Sequence, residues 1–327
     1  MTDRPLLALV GPTASGKTEA SIVIARALDA EIVCLDSMLV YRGMDIGTAK
    51  PDPEQRRLVP HHLLDLADPV EPFSVARFQA LARVAVADIE GRGRNVLLVG
   101  GGGLYYRAVV DGLEFPATAP EVRALLEAEA TALGPEAMYR RLADVDPDAA
   151  GRIEPKNARR TVRALEVAAL TGRPFSDYHR AWERYPAGGL LVAGVEVERT
   201  SLYRRIERRV HGMMPGLLSE AKTLMEDGFA SFLTSSQAIG YAEAVACLRG
   251  AMSEEEAAAR TIKRTKALAR RQMAWLRRDP RIRWFNAGEE GAGGFTDQMA
   301  GYLGGRDRPI GAAVATGAVQ GAVQLEG

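Results

Sequence analysis

The sequence predicts an α/β fold, a P-loop core with a mostly parallel sheet plus an inserted helical domain. Three observations carry that expectation. Apolar runs at Leu6 to Val10, Glu31 to Leu35 and Asn95 to Val99 are nearly continuous, without the alternation of a half-exposed strand, as in parallel strands covered on both faces. The first run leads into the glycine-containing segment Gly11 to Thr18 and then a helical pattern of Ile22, Val23, Ala25, Ala27 and Leu28. Further on, the stretch 116–189 turns to helical segments punctuated by Pro116, Pro120, Pro135, Pro147, Pro155 and Pro174.

The elements follow in order. A crossover helix between Phe73 and Glu90 precedes the third strand, and that strand runs into the glycines Gly100 to Gly103. Leu190 to Val197 reads as a strand that returns the chain to the sheet, and helices are expected from Ser201 to Met225 and from Ser253 to Arg278. The domain reading is therefore 1–115 for the first part of the core, 116–189 for the inserted helices, 190–290 for the second part with basic helices, and 291–327 for a disordered tail.

Composition narrows the class. The chain of 327 residues is 47% hydrophobic and 26% charged, which excludes disorder as the default state. Cys34 and Cys247 are too few for a disulfide framework, no apolar run is long enough to span a membrane, and the first residues lack an export pattern, so a cytoplasmic protein is expected. The formal net charge is zero, yet 25 basic and 15 acidic side chains lie between Ala150 and Asn286. That local surplus suits an anionic partner such as nucleic acid, or else solvated helix faces.

The segment Gly11-Pro12-Thr13-Ala14-Ser15-Gly16-Lys17-Thr18 matches G-x-x-x-x-G-K-[ST] in its confirming context, after a strand and before a helix. Glycines let backbone N–H groups turn onto an anion, Lys17 bridges phosphate oxygens, and the Thr18 hydroxyl suits Mg²⁺. The strand Asn95 to Val99 ends in glycine rather than in an acidic residue, so water-activating apparatus is missing and hydrolysis is disfavoured as the main reaction. Asp36 instead stands at the end of the second strand, on the edge where ligands bind in parallel sheets. It is placed to accept a proton from a nucleophile, or to serve as a turn residue.

The chain resembles the tRNA dimethylallyltransferases, also called tRNA isopentenyltransferases, of the bacterial type. The resemblance rests on Gly11 to Thr18, on the specific string Asp36 to Pro51, and on His61 to Asp65 and Phe73 to Val75. It continues in the glycine run with Leu104 and Tyr105, in Arg163 to Val167, Gly240 and Tyr241, and in Ala269 to Gln272 with Trp275 to Arg277. It implies transfer of a dimethylallyl group from dimethylallyl diphosphate to N6 of the adenosine 3′ of the anticodon, with diphosphate as the leaving group held by the loop. It further implies Asp36 as the base, and Lys17, Thr18 with Mg²⁺, and Arg209 as the groups that neutralise the diphosphate. Arg205 and Arg208 are alternatives to Arg209 on the same helix. The implied contacts to the tRNA anticodon stem-loop are Asp36, Ser37, Met38, Leu39, Gly102, Arg123, Arg159, Arg160, Thr161, Val162, Arg163, Gln237, Ala238, Ile239, Gly240, Tyr241 and Ala242. A monomer without membrane contact is expected.

Two departures from the family pattern stand out. Gly102 replaces a threonine, and the string Thr265 to Gln272 exchanges a lysine and an arginine relative to the usual order. The basic positions Arg260, Lys263, Arg264, Arg270, Arg271, Arg277 and Arg278 form a stripe, with no Asp or Glu between Thr261 and Arg278 to pair them locally. The stripe is read as contacting RNA backbone or diphosphate at least in part. Trp275, at its border, and the pair His61 and His62 are read as packing residues. A small-molecule or nucleotide kinase is the main alternative, because such enzymes also set an aspartate beside this loop. An isopentenyltransferase for free adenine nucleotides and a non-enzymatic RNA-binding module are the others.

Overall fold

The computed structural model describes residues 4–186, 188–229, 232, 234–288 and 293–305. Six strands form one sheet, β1 (Leu6–Val10), β2 (Ala30–Leu35), β3 (His61–His62), β4 (Asn95–Gly100), β5 (Leu190–Glu196) and β6 (Ile282–Asn286). Their spatial order is β3-β2-β4-β1-β5-β6, and every neighbouring pair is parallel. The four long apolar strands fall where the sequence pattern places them, within a residue or two. The edge strands β3 and β6 were not anticipated, because one has two residues and the other alternates buried Ile282 and Phe285 with exposed Arg283 and Asn286.

Helix α1 (Lys17–Ala27) connects β1 to β2, α2 (Pro53–Leu58) precedes β3, and α3 (Val75–Gly91) returns the chain to β4. These crossovers run in opposite directions along the sheet, and right-handed connections therefore put α1 and α3 on opposite faces. Both faces are covered, so Leu7, Ala8, Leu9, Val10, Ile32, Val33 and Leu97 are all buried. Helix α4 (Gly103–Val110) follows β4 directly.

The inserted stretch contains α5 (Pro120–Leu133), α6 (Pro135–Val145), α7 (Pro147–Ala150), α8 (Ala158–Thr171) and α9 (Phe175–Arg180). Proline opens α5, α6 and α7, where a missing N–H costs nothing and the fixed φ favours the first turn. These helices bury their own apolar cluster, centred on Leu126, Met138, Leu142, Ile153, Val162 and Leu165 and separate from the cluster around the sheet.

After β5 come α10 (Arg199–Glu226), α11 (Tyr241–Leu248) and α12 (Glu254–Leu276), which pack on one another. Helix α13 (Gly293–Leu303) corrects the expectation of a disordered tail from residue 291. Its Phe295, Met299 and Leu303 recur every fourth residue and are buried in the sheet's core cluster, an apolar stripe hidden by the surrounding glycines and alanines. The rest of that expected tail, from residue 306, lies outside the described residues. Among the described residues no helix is long and apolar enough to cross a membrane.

Candidate active site

The register of the sheet builds the site. Gly100 pairs with both Val10 and Leu35, so the residues that follow, Gly11, Asp36 and Gly101, leave the sheet at one edge. The chain runs from β1 to one side of the sheet and later adds β5 on the other, which makes this edge the switch point where parallel sheets open a crevice. The strand ends approach so closely that a Cβ on Gly100 would lie 2.5 Å from the Leu35 carbonyl oxygen, and one on Gly11 would lie 2.9 Å from that of Val195.

Beyond β1 the phosphate loop wraps the start of α1. Gly16 adopts φ 88° as the N-cap of α1 with no side chain bonded to the helix amides, which leaves those amides open to an anion. The Lys17 ammonium donates to the Pro12 carbonyl at 2.5 Å and to Ser15 Oγ at 3.3 Å. Desolvation, reinforced by nearby Arg209 and opposed by Asp36, pushes its pKa down to about 7. Ser15 is fully buried, and Thr18 lines the same cavity as Lys17.

Asp36 follows β2, and its Oδ1 accepts the backbone N–H of Met38 at 2.8 Å. Desolvation raises its pKa, while the Met38 amide and the positive charges of Lys17 and Arg209 pull the other way. The aspartate is thus both a turn residue and a carboxylate with heightened proton affinity facing the loop. Arg205, Arg208 and Arg209 of α10 all line the cavity, whose volume is about 1130 Å³. Arg205 donates to the Gly288 carbonyl at 2.7 Å. Arg209 makes no hydrogen bond or ion pair among the described residues, and its charge is felt by Asp36 and Glu19. Of the three candidates, Arg209 is the one that combines an unpaired guanidinium with electrostatic contact to both Asp36 and Lys17.

The string Asp36 to Pro51 is pinned from below and from the side. Buried Lys50 donates to the Tyr41 carbonyl at 2.7 Å and to Asp65 at 2.7 Å, and also pairs with Asp45. Glu220 of α10 accepts the amides of Asp45 and Ile46, each at 3.0 Å, and the Tyr241 hydroxyl at 2.5 Å. Tyr241 is itself fully buried, and a Cβ on Gly47 would come within 2.4 Å of its ring. These contacts tie the string, at Asp45 to Gly47, to Tyr241 of a second segment implied as a tRNA contact, Gln237 to Ala242. In the second segment Gln237 is exposed, Ala238 is buried, and Gly240 holds φ 95° with its amide on Glu243. Gly102 caps α4, and a Cβ there would meet nothing nearer than the Tyr105 ring at 4.0 Å.

The third segment lies elsewhere. Arg123 and Arg163 both bind the fully buried carboxylate of Glu166, at 2.6 and 2.7 Å. Thr161 and Val162 are buried in the inserted helices, while Arg159 and Arg160 are exposed. None of the inserted residues lines the cavity.

Helix α12 finds its counter-charges on other elements. Arg264 and Arg260 face Glu243, Lys266 pairs with Glu207, and Arg277 with Glu196. Lys263 and Arg271 have no ionic partner among the described residues, and Trp275 packs edge-on against Trp182 at 5.7 Å. His62 binds Glu31 and His61 binds the Val59 carbonyl, and no group of three His, Cys, Asp or Glu suited to a metal occurs among the described residues. Sequence reasoning assigned no role to Lys50, Glu220 or Gln272, although Lys50 and Gln272 lie in the quoted strings; Glu220 gave no local signal.

A parallel sheet with a phosphate loop on one strand, a carboxylate at the end of the next strand but one, and helices inserted before β5 defines a phosphate-loop enzyme. The chain belongs to the IPP transferase family: the family model for IPP transferase matches residues 39–279, and one for isopentenyl transferase matches residues 5–63. The tRNA dimethylallyltransferase of Salinispora tropica is 48% identical over 294 residues, covering 88% of this chain and 89% of that protein. The crystal structure of the full-length tRNA isopentenylpyrophosphate transferase of Bacillus halodurans matches with a TM-score of 0.68 and 40% identity, over 93% of this chain and 97% of the other. A eukaryotic dimethylallyltransferase acting on tRNA matches with a TM-score of 0.71 and 26% identity, over 86% and 74% of the two chains.

Proposed function

We propose that the protein transfers the dimethylallyl group of dimethylallyl diphosphate to N6 of the adenosine immediately 3′ of the anticodon in tRNA and releases diphosphate. The observation that carries this reading is the convergence of Asp36, Lys17 and Arg209 on one cavity, with no carboxylate at the end of β4. Adenine N6 is a weak nucleophile because its lone pair is delocalised into the ring. A hydrogen bond from N6 to Asp36 raises electron density on nitrogen as the new C–N bond forms and the allylic C–O bond breaks, and the N6 proton passes to the carboxylate. The raised pKa of Asp36 suits that role. The loop amides, Lys17 and Arg209 oppose the charge that grows on the departing diphosphate, an interaction strongest in the transition state.

Thr18 would hold a Mg²⁺ ion together with diphosphate oxygens and water, since no group of three His, Cys, Asp or Glu suited to a metal occurs among the described residues, and the ion would add to the neutralisation of the leaving group. The acceptor base must leave the anticodon stack, at a cost of a few kcal/mol that contacts along the RNA offset. Exposed Arg159 and Arg160 on the inserted helices and the basic face of α12 are suited to the backbone, and the enzyme is read as a cytoplasmic monomer. The test is to incubate the protein with labelled dimethylallyl diphosphate, Mg²⁺ and unmodified tRNA and to digest the product to nucleosides. Label in N6-dimethylallyladenosine is expected. No label in RNA, together with phosphate transfer from ATP to a small acceptor, would establish the kinase alternative.

A further inference from the structure

Gln272 is the one residue of α12 that lines the cavity. Its side chain is buried, with the residue only 8% exposed, and its Oε1 accepts the backbone N–H of Thr13, inside the phosphate loop, at 2.8 Å. That bond fixes the orientation of the carboxamide, because an N–H donor must face the oxygen. The Nε2 group is turned toward Gly101, where a Cβ would lie 2.7 Å from it. No acceptor for Nε2 is found among the described residues. Although the residue is largely buried, Nε2 is not among the sealed, unpartnered polar atoms, so it opens onto the cavity that Gln272 lines and is free to meet an acceptor supplied by a ligand there.

We propose that Gln272 Nε2 donates a hydrogen bond to an oxygen of the diphosphate seated in the phosphate loop, which makes Gln272 a ligand-contacting residue delivered by the basic helix. The proposal rests on the transfer reading. The anchored oxygen ties the carboxamide to the loop itself, so its amino group moves with the anion cradle rather than with the RNA surface. The donor is neutral, and it therefore adds direction to a site where Lys17 and Arg209 already supply charge. Glycine at position 101 is required by the Gly11 carbonyl oxygen, 2.6 Å from where a Cβ would stand, and the same space admits Nε2.

The direct experiment is glutamine-selective ¹⁵N labelling of the full chain, with the Gln272 side-chain signal identified by its absence in Gln272→Met. On titration with inorganic diphosphate and Mg²⁺ that signal is expected to move with the Kd found by calorimetry. Gln272→Met should lower diphosphate affinity about 10-fold, the value for one hydrogen bond to a charged acceptor, and leave tRNA affinity within about twofold. Gln272→Glu keeps an acceptor for Thr13 and so preserves the loop anchor if the Met variant folds poorly; its added negative charge should weaken diphosphate further. A stationary signal, a signal that moves only with anticodon stem-loop RNA, or wild-type diphosphate affinity in both variants would overturn the proposal. Transfer assayed on the same wild-type sample separates the two readings. Absence of dimethylallyl transfer with a moving signal contradicts the function and upholds the contact.

Discussion

Arginines of two regions meet opposite fates in this molecule. In the inserted helices, Arg123 and Arg163 close on the buried carboxylate of Glu166, and Arg163 also donates to the Pro116 and Ala117 carbonyls, so their charge is neutralised where the insertion leaves the core. On α10, Arg209 faces the cavity without an ion pair among the described residues, held in the fields of Asp36 and Glu19. The sequence presents both groups as basic residues in helical context. What separates them is whether the fold brings a carboxylate to the guanidinium. Charge left unmatched at the edge of the phosphate loop is available to an anionic ligand, whereas charge matched by Glu166 holds two segments together.

The largest effect should come from removing charge that only the ligand answers. Lys17→Ala is expected to lower kcat for dimethylallyl transfer by about 10²-fold or more, as for loss of one group that stabilises developing negative charge. Turnover near wild type would break the contrast between unmatched and matched cations.

Next in size is the matched side. Glu166→Gln leaves two guanidinium groups with a neutral partner and should cost about 2 to 4 kcal/mol of stability, read by denaturant unfolding, with diphosphate affinity unchanged. A loss of diphosphate binding without loss of stability would place Glu166 with the site rather than with the scaffold.

A smaller effect separates RNA contacts from solvated faces. Neutralising Arg159 and Arg160 together should weaken tRNA binding about 10-fold and flatten the dependence of log K on log salt by one to two units. An unchanged slope would make this pair a solvated face.

The smallest effect is one of pH. Lys17 is held near 7, well below the value of an exposed lysine, so the free loop loses its ammonium as pH rises through that value. Diphosphate affinity should therefore fall by a few-fold more between pH 6.5 and 8.5 in the wild type than in Lys17→Met, and binding near pH 8 should take up a proton in calorimetry run in buffers of different ionisation enthalpy. Equal pH dependence in the two proteins would show that Lys17 stays charged.

How much of this was legible beforehand depends on how local each feature is. The strands β1, β2, β4 and β5 could be read because burial on both faces leaves an uninterrupted apolar run, and the phosphate loop because its geometry demands Gly11, Gly16, Lys17 and Thr18 at fixed spacing. Strand β6 was missed because an edge strand keeps exposed Arg283 and Asn286, and α13 because its glycines and alanines hide the Phe295, Met299 and Leu303 stripe. At the site, Asp36 follows from its place at a strand end. The pairing of Arg123 and Arg163 with Glu166, the bond between Gln272 and Thr13, and the hold of Glu220 on Asp45 and Ile46 join residues between 3 and 259 positions apart. Apart from the local Arg163–Glu166 pair, such contacts have no periodicity or short motif to announce them.

The central claim is that Asp36 acts on the reacting nitrogen beside the diphosphate cradle. The most direct measurement is the single-turnover rate of Asp36→Asn with saturating tRNA and dimethylallyl diphosphate, taken with the tRNA Kd of the same variant. Asn keeps the shape and the acceptor for the Met38 amide but cannot take the N6 proton. A rate about 10²-fold below wild type, with tRNA affinity within a few-fold, is the predicted result. A normal rate from the bound complex, with the defect confined to tRNA affinity, would contradict it and make Asp36 a recognition residue.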